Sequence, residues 1–266
     1  MLQKWIFKNK YKLMVFIAIS YIVVDILLHK GLARFLLPDE FPVYKISSGH
    51  PGNKNILINE NKEWVKAVNT KEALNKIRPN CSGLECDIYF DADKKTFDVH
   101  HDPDSPTMLN LDELLTGYQQ AGLRASIWLD LKNLDDSNVQ GAVELLTAMR
   151  NKYGLTNKLL VESNRADLLT VFSDSGFYTS YYTPMFNPYQ VSDKEIKHWV
   201  DSLSSVISKS KVNALSGYYF QYPFLHQYFP NYPVLIWAAN DRLSLMNWMF
   251  RRQVVECKQI FIALYP

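Results

Sequence analysis

Short apolar segments alternate with helix-like segments along most of this chain of 266 residues. Nine apolar runs predict strands at 44–48, 83–89, 96–100, 125–131, 158–162, 177–182, 212–218, 234–238 and 260–264. Helix-like stretches cover 70–76, 112–120, 139–152, 165–174, 193–208 and 243–251. Such alternation is typical of parallel βαβ units, and about eight of these strands in one domain predict a (β/α)8 barrel of the TIM type. A doubly wound open sheet is the alternative, although no glycine-rich nucleotide loop follows any predicted strand.

The N-terminal segment combines a basic flank with an apolar run. Residues 1–12 contain four lysines and no acid, and residues 13–28 are almost entirely apolar. This pattern fits a signal peptide or a signal anchor. Because no small-residue cleavage site follows, we predict an uncleaved transmembrane anchor over residues 1–30, a connector over 31–43 and the barrel over 44–266. The basic end would be cytoplasmic, so the barrel would lie on the extracytoplasmic side of the inner membrane.

One residue argues against a simple membrane span. Asp25 lies within the apolar run, and a carboxylate in the hydrocarbon costs about 2.5–3.5 kcal/mol on insertion scales. Its place near the far end of the run would put it at the interface. A soluble amphipathic helix is the alternative.

Charge and cysteine content exclude two classes of protein. The net charge is only +2, and no Lys/Arg cluster occurs outside the N-terminus, so we expect no nucleic-acid partner. The odd number of cysteines, three, gives no disulfide framework. Cys81, Cys86 and Cys257 are interpreted as small buried apolar side chains, with a Cys81–Cys257 bridge as the alternative.

Two predicted strands carry acidic residues inside otherwise apolar sequence. Glu85 and Asp87 are two residues apart, so on a strand they face the same side. Asp130 and Lys132 share a face of a later strand in the same way. Carboxylates that face each other repel unless a cation or a proton neutralises them, and carboxylate oxygens are the ligands of hard cations. The carboxyl ends of barrel strands are where catalytic groups collect.

Seven short motifs follow one another along the chain. They are His50-Pro51-Gly52, Asn69-Thr70, Glu85-Cys86-Asp87, His101-Asp102, Asp130-Leu131-Lys132, Trp237-Ala238-Ala239-Asn240 and Tyr265-Pro266. In this order they resemble the glycerophosphodiester phosphodiesterase family, over residues 45–266. The Asp-x-Lys form also resembles the sphingomyelinase D branch of that superfamily. The segment from Trp64 to Asn69 resembles its menorin-like branch.

The resemblance implies a metal-dependent phosphodiesterase. Glu85, Asp87 and Asp130 would hold one divalent cation, Mg²⁺ or Ca²⁺. His50 and His101 would act as general base and general acid. The substrate implied is a glycerophosphodiester or a phospholipid-derived diester, attacked by its own neighbouring hydroxyl through a cyclic phosphate.

The remaining candidates would bind the substrate. Lys132 would add electrostatic stabilisation, and Trp237 and Glu162 would line the site. Pro51 stands where the family has an arginine that contacts phosphate, so Lys54 or Lys132 would have to supply that charge.

Two other functions remain open from the sequence. Pro51 favours a non-catalytic barrel that binds a glycan or a lipid head group at the membrane surface. A phosphoinositide-type phospholipase would use two histidines and no metal, so sensitivity to EDTA separates it from the metal-dependent enzyme.

Overall fold

The computed structural model describes residues 2–30, 41–44, 49, 51–52, 54–104, 108–237 and 256–265. Within them, nine strands form one sheet in the order β1-β9-β8-β7-β6-β5-β4-β2-β3. The strands are β1 (Glu63–Val65), β2 (Gly83–Asp91), β3 (Thr96–Val99), β4 (Ser126–Leu131), β5 (Leu159–Ser163), β6 (Tyr178–Tyr182), β7 (Ala214–Tyr218), β8 (Val234–Trp237) and β9 (Ile260–Tyr265). β1 pairs in parallel with both β2 and β9, which closes the sheet into a barrel. The predicted (β/α)8 barrel is therefore confirmed, with β3 added as an antiparallel neighbour of β2.

Helices lie between most of the strands. The described helices are α1 (Leu2–Lys30), α2 (Lys71–Asn75), α3 (Leu111–Gln120), α4 (Val139–Lys152), α5 (Ala166–Asp174), α6 (Asp193–Ile207) and α7 (Tyr222–Tyr228). Their starts follow ordinary capping chemistry, since Thr70, Asn110 and Ser192 accept hydrogen bonds from the first turns of α2, α3 and α6. The predicted helix at 243–251 lies outside the described residues.

The prediction of the first barrel strand at 44–48 is wrong. β1 occupies the position between β9 and β2, and it lies about twenty residues further along the chain. Tyr44 is not in a strand, and residues 45–48 lie outside the described part of the chain. The short helix α7 was also not predicted, because its sequence is rich in aromatic residues rather than in helix formers.

The barrel interior is filled by one set of alternating side chains. Trp64, Trp128, Leu160, Leu235 and Ile262 pack together inside the ring. Neighbouring residues on the same strands point outward against the helices, as the two-residue period of a strand requires. Gly83 leaves room for the indole of Trp64, since a Cβ at that position would lie 1.9 Å from Trp64 Cδ2.

Three described residues that precede β1 contact the amino-terminal end of the barrel. Asn231 Nδ2 donates to the carbonyl oxygen of Gly49 at 3.4 Å, just before β8. Asn55 Nδ2 then donates to the carbonyl oxygen of Phe177 at 2.6 Å, just before β6. The amide of Ile58 donates to the carbonyl oxygen of Asn157 at 2.8 Å, just before β5. Gly49, Asn55 and Ile58 therefore lie at the end of the barrel opposite to the carboxyl ends of the strands.

Among the described helices, α1 alone is long and apolar enough to cross a membrane, and a signal sequence would meet the same criteria. Asp25 is only 6% exposed. The carbonyl oxygen of Leu28 accepts a hydrogen bond of 2.8 Å from Gln190 Nε2, in the loop that follows β6. The carboxyl end of α1 therefore contacts the barrel.

Candidate active site

Three carboxylates converge at the carboxyl ends of β2 and β4. Glu85 and Asp87 are both buried, at 4% and 3% exposed, and β4 places Asp130 directly beside Asp87. One oxygen from each of the three side chains lies within 4.8 Å of the other two. The structure therefore brings together the three residues that the sequence predicted as metal ligands.

Lys132 holds two of these acids together. Its Nζ lies 2.7 Å from Asp87 Oδ1 and also pairs with Asp130 Oδ2. Burial alone would lower the pKa of Lys132, but Asp130 and Asp87 raise it above its ordinary value. The ammonium is therefore the cation now closest to the acids.

Glu85 and Asp130 are held in an environment that disfavours their charge. Burial, followed by the charge of Asp87, raises the pKa of Glu85 to about 8. Burial also raises the pKa of Asp130, although Lys132 opposes the shift. Carboxylates with raised pKa values that meet in one cavity are typical of functional sites.

Backbone and side-chain groups after β1 fix the acids in place. The Asn69 side chain donates from Nδ2 to Asp87 Oδ2 at 2.6 Å and accepts from the Asp87 amide at 2.9 Å. The amide of Ala67 donates to Glu85 Oε2 at 2.7 Å. Ala67 has a φ of 60°, in the left-handed region that non-glycine residues seldom occupy. The turn after β1 is therefore strained next to the acids.

The acids open into a cavity of about 120 Å³. The lining residues are Lys66, Glu85, Asp87, His101, Trp128, Asp130, Lys132, Glu162, Tyr182, Trp237 and Leu264.

Two consecutive histidines adopt different environments at the cavity mouth. His101 lines the cavity with its side chain 65% exposed, and its Nδ1 lies 2.8 Å from Asp102 Oδ1. His100 is buried and stacks on Tyr89 with ring centroids 4.3 Å apart. Of these two histidines, only His101 is therefore available to a substrate.

Glu162 and two aromatic residues form the other wall. Glu162 lies beside Asp130 in the next strand and is 1% exposed, and its Oε2 has no hydrogen-bond partner among the described residues. Burial, with the charge of Asp130, raises the pKa of Glu162 well above its ordinary value. Tyr182 and Trp237 meet edge to face at 4.9 Å. Both predicted wall residues, Glu162 and Trp237, therefore line the cavity.

The residue that follows the first strand is a lysine. Lys66 comes directly after β1 and lines the cavity, where the sequence analysis had placed His50. His50 itself lies outside the described residues, and its described neighbours Gly49 and Gly52 pack at the amino-terminal end of the barrel. Lys66 was not predicted from the sequence, because the first strand was assigned to the wrong segment. The Trp-Val-Lys-Ala segment before Asn69 was the part of the sequence that could have identified it.

Lys54 does not reach the cavity in this structure. It is exposed and lies next to Asn55, which contacts the amino-terminal end of the barrel. The prediction that Lys54 replaces the missing arginine at the phosphate is therefore wrong, because Lys54 lies at the opposite end of the barrel. Cys81, Cys86 and Cys257 are free thiols.

The same barrel fold occurs in solved structures of other proteins. A phosphodiesterase from Oleispira antarctica, in complex with the product sn-glycerol-3-phosphate, is 12% identical, with a TM-score of 0.51 over 77% of this chain and 92% of that one. A protein from Agrobacterium tumefaciens, provisionally assigned as a glycerophosphoryl diester phosphodiesterase, is 12% identical, with a TM-score of 0.53 over 76% and 92% of the two chains. One from Galdieria sulphuraria, with a similar provisional assignment, is 14% identical, with a TM-score of 0.52 over 79% and 94%.

No protein-family model and no curated protein matches the chain in sequence. At the identities observed, the structural likeness shows the fold alone. The chain therefore adopts the (β/α)8 barrel that is found in structures of glycerophosphodiester phosphodiesterases.

Proposed function

We propose that this chain is a metal-dependent phosphodiester hydrolase of the glycerophosphodiester phosphodiesterase type. The observation that carries the proposal is the convergence of Glu85, Asp87 and Asp130 within 4.8 Å, in a cavity that also contains His101. The cavity opens at the carboxyl ends of the strands, where barrel enzymes have their active sites. The likeness of the fold to known phosphodiesterases supports the same reaction class.

The donor set fits a hard divalent cation. All three acids offer carboxylate oxygens, which Mg²⁺ and Ca²⁺ prefer. Four carboxylates face two lysines around the cavity, so two negative charges have no partner when all the acids are ionised. A bound divalent cation would balance that charge, and when bound it would neutralise a non-bridging oxygen of the phosphodiester. Lys132 would remain close to the cation, and its charge would stabilise the negative charge that develops on phosphorus.

His101 is the proposed acid–base group. An ionised Asp102 carboxylate only accepts hydrogen bonds, so the contact at Nδ1 requires a proton on that nitrogen. Nε2 is then free to accept a proton from an attacking hydroxyl or, once protonated, to donate one to the leaving oxygen. The two-histidine scheme also needs His50 at the cavity. His50 lies outside the residues that the structure describes, so its part in the scheme stays a prediction.

The position of α1 supports a substrate at the bilayer. We propose that α1 is a membrane anchor with its basic end in the cytoplasm and the barrel outside. The hydrogen bond from Gln190 to Leu28 attaches the end of α1 to the loop after β6, at the same end of the barrel as the cavity. A phospholipid-derived diester or a glycerophosphodiester near the membrane surface would then be within reach.

A non-catalytic binding barrel is the second candidate. Lys132 already occupies the space between Asp87 and Asp130, and Lys66 follows the first strand. Both features suit a site that binds an anionic head group without hydrolysing it.

Turnover by the full chain in lipid nanodiscs tests the proposal. Cleavage of a glycerophosphodiester, which carries a hydroxyl next to the phosphate, should require Mg²⁺ or Ca²⁺ and should stop in EDTA. His101→Ala should lose 10²- to 10⁴-fold in rate, whereas His198→Ala, at an exposed position in α6, should retain the rate of the unmodified chain. Activity that survives EDTA, or a fully active His101→Ala variant, would overturn the proposal. Absence of turnover with retained head-group binding would favour the binding barrel.

A further inference from the structure

Lys66 is the residue that the phosphodiesterase scheme leaves without a role. It lies immediately after β1, half-buried, and its side chain lines the same cavity as Glu85, Asp87 and Asp130. Its backbone is fixed from one side, because the Lys66 amide donates to the carbonyl oxygen of Tyr265 in β9 at 2.8 Å. The position of Lys66 is therefore set by the closure of the barrel.

The two lysines of the cavity differ in their partners. Lys132 forms ion pairs with both Asp87 and Asp130. Lys66 has no acidic group within ion-pair distance among the residues that the structure describes. An ammonium without an acidic partner retains all three of its donors for a phosphate oxygen.

The backbone next to Lys66 is strained. Ala67 has a φ of 60°, and its amide is held by Glu85 Oε2 at 2.7 Å. Such conformations cost about 1–3 kcal/mol each, and they persist where the surrounding structure imposes them, often at functional sites. Here the strained turn places Lys66 next to the hydrogen bond between the Ala67 amide and the Glu85 carboxylate.

We propose that Lys66 binds the phosphate group directly and supplies the positive charge that the family takes from an arginine. The phosphate would then have two contacts in the cavity. One is the cation that the acids would hold, and the other is the ammonium of Lys66. The substrate class is a phosphodiester monoanion, and its product is a phosphate monoester that keeps the same contact. The inference rests on the proposed function for the substrate, but the anion contact can be measured without turnover.

Binding of inorganic phosphate to the full chain in nanodiscs, measured by calorimetry in Mg²⁺, tests the contact. Lys66→Gln removes the charge and keeps a polar side chain that is one atom shorter, and it should raise the Kd for phosphate roughly 10- to 100-fold. Lys66→Arg should recover part of the affinity. Lys209→Gln, at an exposed position after α6, is the matched control and should bind as the unmodified chain does.

The outcomes separate this inference from the proposed function. If the unmodified chain hydrolyses a diester and Lys66→Gln binds phosphate normally, the role of Lys66 is refuted and the hydrolase stands. If no diester is hydrolysed but Lys66→Gln still loses phosphate affinity, the contact is supported and the hydrolase fails. Normal phosphate affinity in Lys66→Gln together with absent turnover overturns both.

Discussion

Asn69 holds Asp87 through both ends of its amide. Its Nδ2 donates to Asp87 Oδ2 at 2.6 Å, and its Oδ1 accepts from the Asp87 backbone amide at 2.9 Å. Both residues are buried, so these bonds are largely shielded from solvent. Asn69 therefore fixes the direction in which one proposed metal ligand points.

Removal of this amide should weaken cation binding. Groups that orient metal ligands typically contribute 10- to 100-fold to affinity or activity, so we expect Asn69→Ala to raise the Kd for Mg²⁺ by that factor. Asn80→Ala, at an exposed position, should leave it unchanged. Calorimetric titration with Mg²⁺ measures both, and equal affinities in the two variants would refute a positioning role for Asn69.

The stability of the metal-free protein should decrease as pH increases. Burial, followed by Asp87, raises the pKa of Glu85 from 4.5 to about 8, so the folded protein keeps a proton that the unfolded chain has released. Between these two values, unfolding releases that proton. The free energy of unfolding should then fall by up to about 1.4 kcal/mol per pH unit, and Glu85 contributes no further loss above pH 8.

Urea unfolding in EDTA at pH 5, 6.5 and 8 measures this slope. Glu85→Gln has no carboxyl group at that position and should give a shallower slope. Asp130 and Glu162, whose pKa values burial also raises, act in the same direction. Saturating Mg²⁺ should oppose the loss, because it binds the ionised carboxylates. A metal-free protein that becomes more stable from pH 5 to pH 8 would contradict the burial of these acids.

The left-handed turn at Ala67 predicts opposite effects of two substitutions. Glycine adopts a φ of 60° without strain, so Ala67→Gly should leave the free energy of unfolding unchanged or raise it by up to about 1 kcal/mol. Ala67→Val should lower it by about 1–3 kcal/mol, because a β-branched residue fits this region poorly. Ala148→Gly, at an exposed position within α4, is the control and should cost about 1 kcal/mol. A comparable loss in Ala67→Gly would mean that the turn is not strained.

The packing of Gly83 against Trp64 predicts a severe loss of stability in Gly83→Ala. A Cβ would lie 1.9 Å from Trp64 Cδ2 inside the barrel, and the buried indole has no space in which to move. We expect a loss of about 3 kcal/mol or more, at the upper end for overpacked cores. Gly117→Ala in α3 approaches only the flexible end of Leu74, at 3.1 Å, and should change stability by less than about 1 kcal/mol. Thermal or urea unfolding compares the two, and equal stabilities would contradict the packing described.

The strands that the sequence predicted correctly are those with an uninterrupted apolar run between recognisable helices. β4, for example, reads Ser-Ile-Trp-Leu-Asp-Leu and was placed to within one residue. β1 was missed because it has only three residues, Glu-Trp-Val, between polar neighbours. Its strand character comes from pairing with β2 and β9, which are distant in sequence. Local pattern contains no information about such pairing.

The difference between local pattern and long-range pairing also explains which residues of the site could be predicted. Glu85 and Asp87 were identified by their two-residue spacing on one strand, and Asp130 by an equivalent position on the next. Lys66 was not identified, because its role depends on knowing that β1 ends at Val65. The amide contacts of Asn69 and Ala67 join residues eighteen positions apart, and they require the folded barrel.

Anomalous diffraction from a crystal soaked in Mn²⁺ would reveal whether Glu85, Asp87 and Asp130 together hold one divalent cation. We expect one anomalous peak about 2.0–2.6 Å from an oxygen of each acid, with Lys132 displaced from the space between Asp87 and Asp130. An anomalous map without a peak among the three acids at saturating Mn²⁺, with Lys132 still paired to both aspartates, would contradict this expectation.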